Sequence, residues 1–154
     1  MSQETFVRKA TPADATAIAD LRRAQWAERD ADVDDEALVD RMTTWLFDTG
    51  MRTHWLAIDA EELVGIVSLT EFERMPVPGS AHARWGYIGN FFVLADRRSR
   101  GLGRQLLDAA IAHSRERGHR RIVLSPSERS KPLYARAGFG AADILRVLPL
   151  EDGS

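Results

Sequence analysis

The sequence predicts a mixed α/β fold, in which a central twisted mixed sheet of about six to seven strands is flanked by about four helices. Two kinds of segment alternate along the 154 residues. Some are runs of β-branched and aromatic residues bounded by turn residues, and others place apolar side chains every three or four positions. The predicted strands outnumber the helices, and helices occur in both halves, which favours one sheet covered by helices. The length predicts a single domain over residues 1–154.

The first third of the chain predicts one strand and two helices. TFVRKA, residues 5–10, is typical of a strand. Thr11 followed by Pro12 is the pattern of a helix N-cap with proline at the first helical position. A second helix is expected from about Asp34, with Gly50 beyond its end.

Three strands are expected next. HWLAIDAEELVGIVSLTEF, residues 54–72, predicts two strands joined by a turn near residues 60–62. The segment ERMPVPGSAHAR contains two prolines and a glycine, so it is expected to form a loop. WGYIGNFFVL, residues 85–94, is a run of β-branched and aromatic residues typical of a buried strand.

The last third predicts two helices and two strands. Apolar residues at helical spacing predict a long helix over residues 102–117, and RIVLS, residues 121–125, predicts a short strand. KPLYARAGF, residues 131–139, predicts a short helix that ends at Gly138. ADILRVLPL, residues 142–150, is expected to be the closing strand.

Composition and charge argue against several functional classes. Hydrophobic residues make up 44% and charged residues 29%, the balance of a soluble globular protein, and no apolar run approaches the roughly 18 residues of a membrane helix. The polar start MSQETFVRKA has no signal-peptide core, so a cytoplasmic location is expected. The net charge of −2 gives no reason to expect a nucleic-acid or membrane partner. The chain has no cysteine, and its four histidines lack ligand spacing, so no metal is expected.

The turn RRSRGLG, residues 97–103, has the composition of an anion-binding site. Gly101 and Gly103 lie where a helix begins, and a helix N-terminus presents unpaired N–H groups that glycines allow a ligand to approach closely. Four arginines add positive charge at the same turn: Arg97, Arg98, Arg100 and Arg104. A pyrophosphate would suit such a site. The alternative is an ordinary turn whose arginines are solvated.

Two nucleotide-binding motifs do not fit this turn. A P-loop requires GxxxxGK followed by serine or threonine, and the sequence contains no such run. A dinucleotide-binding fingerprint requires a third glycine where this chain has Leu106. Both are set aside.

Two motifs together resemble the GNAT family of N-acetyltransferases. RSRGLG, residues 98–103, matches the family signature R/Q-x-x-G-x-G/A, between a strand ending FFVLADRR and a long amphipathic helix. SPSERSKPLYARAGF, residues 125–139, resembles the family's C-terminal segment, in which a serine or asparagine precedes a short helix bearing a tyrosine and a G-F pair. The order of elements also resembles the family, so the likeness covers essentially the whole chain.

The resemblance implies direct transfer of the acetyl group of acetyl-CoA to an amine. Val93 and Leu94 would pair through their backbone with the pantetheine arm, and Ser127 would touch the coenzyme or cap a helix. Tyr134 matches the family's tyrosine, which would protonate the departing thiolate; the alternative is that it packs beside Phe139. Backbone groups of the turn would bind the pyrophosphate: those of Arg98, Arg100, Gly101, Gly103 and Arg104.

The general base is a departure from the family pattern. Similar proteins carry a glutamate on the strand where this chain has Gly89, and a protonated amine must lose a proton before it can attack. Asn90 could orient a water molecule, and Glu71 and Glu73 lie on one face of the neighbouring strand because side chains alternate with period two. Glu71, which lies deeper in that strand, is the expected base, acting through a water molecule. The alternative is that both glutamates are solvent-facing carboxylates at a strand end and that Gly89 marks an enzyme without a dedicated base.

From the sequence, an acetyltransferase is favoured over a catalytically silent acyl-CoA sensor of the same fold. A nucleic-acid binder is disfavoured because no aromatic residues for base stacking are interleaved with the arginines. The acceptor stays open among aminoglycosides, polyamines, amino acids and protein N-termini. The acidic segment ERDADVDDE, residues 28–36, would attract a cationic amine or is a solvated loop, and Trp26 or Trp85 could line the acceptor site. A homodimer is left open.

Overall fold

The protein forms one five-stranded sheet and four α-helices in the computed structural model, which describes residues 4–30, 34–48, 50–80 and 84–151. The strands are β1 (Thr5–Lys9), β2 (Arg52–Asp59), β3 (Glu62–Glu73), β4 (Arg84–Val93) and β5 (Ile122–Leu124). The helices are α1 (Ala15–Ala27), α2 (Leu38–Phe47), α3 (Leu102–Glu116) and α4 (Lys131–Arg136).

The strands lie in the sheet in their sequence order. Neighbours from β1 to β4 are antiparallel, and β5 pairs parallel to β4 after the chain crosses over through α3. Three pairs join β4 to β5, and the last is Ile88 with Leu124. The rest of β4, from Gly89 to Val93, therefore has no strand beside it on the β5 side within the described residues.

Helices cover both faces of the sheet. The apolar residues of α3 recur at helical spacing and pack on one face of the sheet. Helices α1 and α2 pack on the other face. On the α3 face the cluster includes Leu102, Leu106, Leu107, Val67, Leu69 and Ile88. On the opposite face it includes Ile18, Leu21, Leu46, Leu56, Ile66 and Phe92. Because side chains alternate along a strand, consecutive β3 residues face different helices.

The predicted closing strand over residues 142–150 is wrong, and the sheet has five strands rather than six to seven. The segment has the composition of a strand, but it pairs with no described strand, and its apolar side chains are exposed, with Val147 at 87% and Leu150 at 88%. Strand propensity acts only where a strand has a partner and a surface to pack on, and Pro149 has no N–H to donate.

The second helix begins later than expected. α2 starts at Leu38 rather than near Asp34. The side chain of Asp35 accepts a hydrogen bond of 3.0 Å from the backbone N–H of Ala37, which holds a turn ahead of the helix. The other predicted elements are present, including the hairpin of β2 and β3 and the long helix α3.

Candidate active site

A cleft opens where β4 and β5 stop being neighbours. Their ladder ends at Leu124, which is also the last residue of β5. Beyond it, the β4 edge from Gly89 to Val93 forms one wall of the cleft, and the segment containing Ser125 and Ser127 forms the other. The cleft has a volume of about 910 Å³. An extended ligand can lie in it along the open edge, as an added strand would.

A β-bulge interrupts this wall. The register between β3 and β4 shifts, so that Asn90 and Phe91 together face the single residue Val67. Asn90 has φ of 54°, a left-handed backbone conformation that residues other than glycine rarely adopt. A bulge leaves backbone groups of its extra residue outside the ladder, so they can face a ligand in the cleft.

The N-terminus of α3 forms another part of the wall. Gly101, just before the helix, has φ of 80°, which glycine adopts without strain. Backbone N–H groups of residues 99–104 donate no hydrogen bond to another described residue. Unpaired N–H groups at the positive end of a helix make an anion-binding arrangement. A Cβ on Gly103 would lie 3.1 Å from Cζ of Phe91, so this glycine is also needed for packing.

Carboxylates already neutralise the arginine side chains of the turn. The ion pairs are Arg97 with Asp59, Glu62 and Asp96, Arg98 with Glu28, Arg100 with Asp59, and Arg104 with Asp108. Arg98 also donates through Nε to the carbonyl oxygen of Val93, at 2.8 Å. The backbone of the turn, rather than its side chains, is therefore the main group available to an anion.

Arginines outside the turn also contribute positive charge to the cleft. Glu28 is the only carboxylate residue among the described residues that line the cleft. Four arginines line it without an ion pair to any described carboxylate: Arg22, Arg29, Arg129 and Arg136. The cleft thus suits a ligand that carries several negative charges.

A second, smaller cavity lies between the sheet and helices α1 and α2. It has a volume of about 300 Å³ and meets the cleft at three residues that line both: Arg22, Gln25 and Asn90. The rest of its lining is Ile18, Leu21, Met42, Trp45, Leu46, Ile66 and Ser68. The cavity is largely apolar, and none of these lining residues is acidic.

A buried serine–histidine pair borders this cavity. His54 and Ser68 face each other across β2 and β3, with His54 Nδ1 2.7 Å from Ser68 Oγ. His54 Nε2 lies 3.0 Å from the carbonyl oxygen of Leu46, which can only accept, so Nε2 carries the proton and neutral Nδ1 accepts from Ser68. Burial lowers the pKa of His54, and the charge of Arg52 lowers it further, while the Leu46 carbonyl opposes this shift.

The strand register places this pair beside Gly89 of β4, the position at which the sequence resemblance implies a glutamate. Ser68 pairs directly with Gly89 of β4. A Cβ on Gly89 would touch only the ring of Tyr87, at 3.4 Å, so open space lies above this glycine. Ser68 of β3 therefore links this position to the imidazole of His54, which lies on β2, two strands away.

Tyr134 of α4 lines the cleft and is 6% exposed. Burial raises its pKa above the ordinary value of 10.0, although a hydrogen bond with Ser130 opposes the shift. Its ring packs against Phe91 and Phe139, with centroids 5.8 and 5.7 Å away. The phenol is therefore protonated at neutral pH and held rigidly in the cleft.

Most residues predicted from the sequence meet in this cleft, but not all. Those that line it are Val93, Arg98, Gly101, Gly103, Arg104, Ser127 and Tyr134. Leu94 and Arg100 are not among its lining residues, and the Leu94 N–H already donates to the Val64 carbonyl at 2.9 Å. The Ser127 hydroxyl lies 2.8 Å from that of Ser130, a contact that holds the start of α4.

Glu71, the expected base, lies elsewhere. It is on the α3 face of the sheet, lines neither cavity, and binds Arg117 through both carboxylate oxygens at 3.0 Å. His119 Nε2 donates to it at 2.6 Å. Arg117, and to a lesser degree His119, lower the pKa of Glu71 to about 2. Glu71 and Glu73 do share a strand face, but it is the face opposite the small cavity, and so weak a base is unsuitable for the role.

The sequence did not single out several residues of the site. The small cavity is lined by Arg22 and Gln25 of α1 and by Ser68 of β3. The side chain of His54 is hydrogen-bonded to Ser68. The spacing of Arg22 and Gln25 places them one turn apart on a helix, which is the local signal available. The contact between His54 and Ser68 depends on strand register and has no local signature.

The described part of the acidic segment forms ion pairs, and two of the tryptophans line the cavities. Residues 31–33 of the acidic segment lie outside the described residues. Of the rest, Glu28 pairs with Arg98 and Asp35 pairs with Arg41. Trp26 lines the cleft, whereas Trp45 lines the small cavity and Trp85 stacks on Phe72.

A family model described as the acetyltransferase (GNAT) family matches residues 16–139. The chain belongs to the GNAT acetyltransferase family. Members of this family are acyltransferases that use acetyl-CoA, and the cleft described above is the candidate site for that coenzyme in this GNAT protein. A search of curated proteins found no match.

Solved structures agree with this family fold. A predicted acetyltransferase with acetyl-CoA from Clostridium acetobutylicum has a TM-score of 0.78 at 21% identity, covering 96% of this chain and 97% of its own. A GCN5-related N-acetyltransferase from Ralstonia eutropha has a TM-score of 0.74 at 26% identity, covering 95% and 99%. A ribosomal-protein-alanine N-acetyltransferase from Brucella melitensis has a TM-score of 0.73 at 22% identity, covering 95% and 98%.

The described ranges hold no cluster of three or more histidine, aspartate or glutamate side chains arranged to bind a metal ion. Among the described helices, none has the length and apolar character required to span a bilayer.

Proposed function

We propose that this protein transfers the acetyl group of acetyl-CoA to a primary amine of a small molecule or a peptide. The observation that carries the proposal is the meeting of two cavities at Asn90. One is a positively charged cleft that suits an extended polyanion, and the other is a small adjoining cavity between the sheet and helices α1 and α2, of a size for an acceptor.

The coenzyme lies along the open edge of β4. Its pyrophosphate rests on the backbone of the arginine turn and the first turn of α3: residues Arg98, Arg100, Gly101, Gly103 and Arg104. The pantetheine arm follows β4 past Val93, and Ser127 faces it from the opposite wall. Because the Leu94 N–H is held by Val64, we assign the strand-like pairing to the edge from Gly89 to Val93.

The thioester lies at the bulge, where the amine reaches it from the small cavity. The amine nitrogen attacks the carbonyl carbon, the C–N bond forms, and the oxyanion is stabilised by backbone N–H groups of the bulge at Asn90. The C–S bond then breaks, and Tyr134 donates its phenolic proton to the departing thiolate. The sequence contains no cysteine to carry an acetyl group, in keeping with direct attack.

The proton of the attacking nitrogen passes to the serine–histidine pair. A water molecule beside Gly89, oriented by Asn90, takes it to Ser68, whose own hydroxyl proton moves to His54 Nδ1. His54 is neutral at pH 7 because burial lowers its pKa, so Nδ1 is ready to accept. This route replaces the carboxylate that Gly89 lacks.

Thiol release from acetyl-CoA tests the function. We expect thiol release that depends on an added amine, and intersecting initial-rate lines when both substrates are varied, as direct transfer requires. Calorimetry with CoA is run in parallel. Tight CoA binding with no amine-dependent release for any amine class would contradict the proposal and identify an acyl-CoA sensor instead.

A further inference from the structure

The acceptor cavity has an unusual charge for a site that binds an amine. A protonated amine or a polyamine is normally held by carboxylates, because opposite charges compensate for lost hydration. None of the ten residues that line the cavity is acidic, while one of them, Arg22, is a cation. A polycationic acceptor would therefore be repelled rather than bound.

Arg22 is partly buried and forms no ion pair with a carboxylate of the described residues. Its Nη1 donates to Oε1 of Gln25 at 2.7 Å, and its guanidinium carbon lies 5.3 Å from the centre of the Trp26 ring. The next arginine along the helix, Arg23, is different, since it pairs with Asp20 at 2.9 Å. A partly buried guanidinium that faces two cavities and lacks an anionic partner is suited to an anionic group on a ligand.

The coenzyme phosphates are not the partner that this position favours. Glu28, immediately after α1, pairs with Arg98 at 3.1 Å and so marks where the helix meets the pyrophosphate turn. Arg22 lies six residues earlier, about 9 Å along the helix axis at a rise of about 1.5 Å per residue. It lines the acceptor cavity with Ile18 and Asn90. In the arrangement proposed above, the uncharged thioester end of the coenzyme, rather than its phosphates, lies beside this cavity.

The remaining walls define the rest of the ligand. Six of the lining residues are aliphatic, aromatic or methionine side chains: Ile18, Leu21, Met42, Trp45, Leu46 and Ile66. Such walls bind an apolar side chain and offer few partners for sugar hydroxyls. A single guanidinium can bind one carboxylate through two parallel hydrogen bonds, and its one positive charge balances the one negative charge of that group.

We propose that the acceptor is an apolar primary amine that also carries a carboxylate, such as an aliphatic amino acid, and that Arg22 binds that carboxylate. This inference rests on the acetyltransferase function proposed above. The positive charge of Arg22 also disfavours a protonated nitrogen beside it, which helps to deliver the amine in its neutral, nucleophilic form.

Matched pairs of amines test this assignment. Leucine is compared with 3-methylbutylamine, and 6-aminohexanoate with pentylamine, because the members of each pair differ only in the carboxylate; spermidine represents polycations. We expect kcat/KM to be at least tenfold higher for the carboxylate-bearing member of at least one pair, and lowest for spermidine. Arg22→Met should reduce that ratio at least tenfold, whereas Arg23→Met, which changes a neighbour that lines neither cavity, should preserve it.

Two results would overturn the assignment: equal kcat/KM within both pairs, or a ratio that Arg22→Met leaves unchanged. Failure of the transferase proposal looks different, because then no amine releases thiol. In that case calorimetric titration of leucine into the CoA complex still decides the role of Arg22. Binding that is lost in Arg22→Met supports the carboxylate site, and no binding to the wild-type protein rejects it.

Discussion

His54 Nδ1 lies 2.7 Å from Ser68 Oγ, and both side chains are almost fully buried, at 2% and 1% exposure. The two residues pair across β2 and β3, and Ser68 also pairs with Gly89 across β3 and β4. The basic nitrogen of His54 is thus linked through one hydroxyl group to the Gly89 position, where the sequence resemblance implies a glutamate.

Replacement of His54 by glutamine tests whether this pair accepts a proton. Glutamine can still accept from Ser68 and donate to the Leu46 carbonyl, but it is not basic. We expect kcat of His54→Gln to fall by roughly 10²-fold or more, the range for a lost general base. Steady-state rates at saturating amine give this value.

The pH profile distinguishes a base from a packing residue. Neutral His54 is the active form, so wild-type kcat should decline as pH falls through its pKa, which lies below the ordinary value of 6.5. His54→Gln should lose this limb. His113→Gln is the control, since burial also lowers the pKa of His113 but its ring packs on Trp55, 5.2 Å away, and lines neither cavity. Superimposable profiles for wild type and His54→Gln would refute the proton route.

Tyr134→Phe should lower kcat by roughly 10²- to 10⁴-fold, the usual effect of losing a general acid, and leave CoA affinity nearly unchanged. Phenylalanine keeps the ring contacts with Phe91 and Phe139 and removes the hydroxyl, which is the proton donor and also the hydrogen-bond partner of Ser130. Stopped-flow thiol release and CoA calorimetry provide the two readouts. A variant that is merely less stable, with a normal rate per folded molecule, would restore the packing role.

Gly101→Val should weaken CoA binding at least tenfold, because it adds a side chain where the pyrophosphate approaches the N-terminus of α3. It also forces valine into a left-handed conformation, at a cost of about 1–2 kcal/mol. Gly79→Val is the matched control: Gly79 has φ of 78° and open space around it, but it does not line the cleft. Calorimetry should show normal CoA affinity in Gly79→Val, and an equal loss in both variants would mean that strain alone is responsible.

Glu71→Gln should destabilise the protein, because it weakens the partly buried contact with His119 and the solvent-screened pair with Arg117, and leave the rate per folded molecule near that of wild type. The pKa of Glu71 falls from 4.5 to about 2 on folding. The ionised form is therefore favoured by folding, so its contribution is complete above about pH 4.5 and is lost as pH falls toward 2. Urea unfolding at pH 7 and pH 3 should show a smaller difference between variant and wild type at pH 3. A large loss of kcat would return Glu71 to the reaction.

The sequence alone predicted most of the architecture and the position of the glycine turn at the start of α3. Helical spacing in α3, the strand composition of β4 and the glycines at residues 101 and 103 are local patterns, and local patterns report local backbone structure. The family motifs likewise lie in two short segments, and the family model matches across them. The prediction of a closing strand was wrong because composition reports only local preference. The segment has the composition of a strand, but no described strand pairs with it.

The acceptor side of the site was decided only by tertiary structure. Glu71 and Ser68 lie three residues apart on β3, and alternation alone separates their faces, but the packing of α3 on one face and of α1 and α2 on the other determines which face holds the cavity. The partnership of His54 with Ser68 depends on the β2–β3 register, and the unpaired state of Arg22 depends on which carboxylates the fold brings near. Contacts between residues distant in sequence are set by the whole fold, so no local pattern of residues could reveal them.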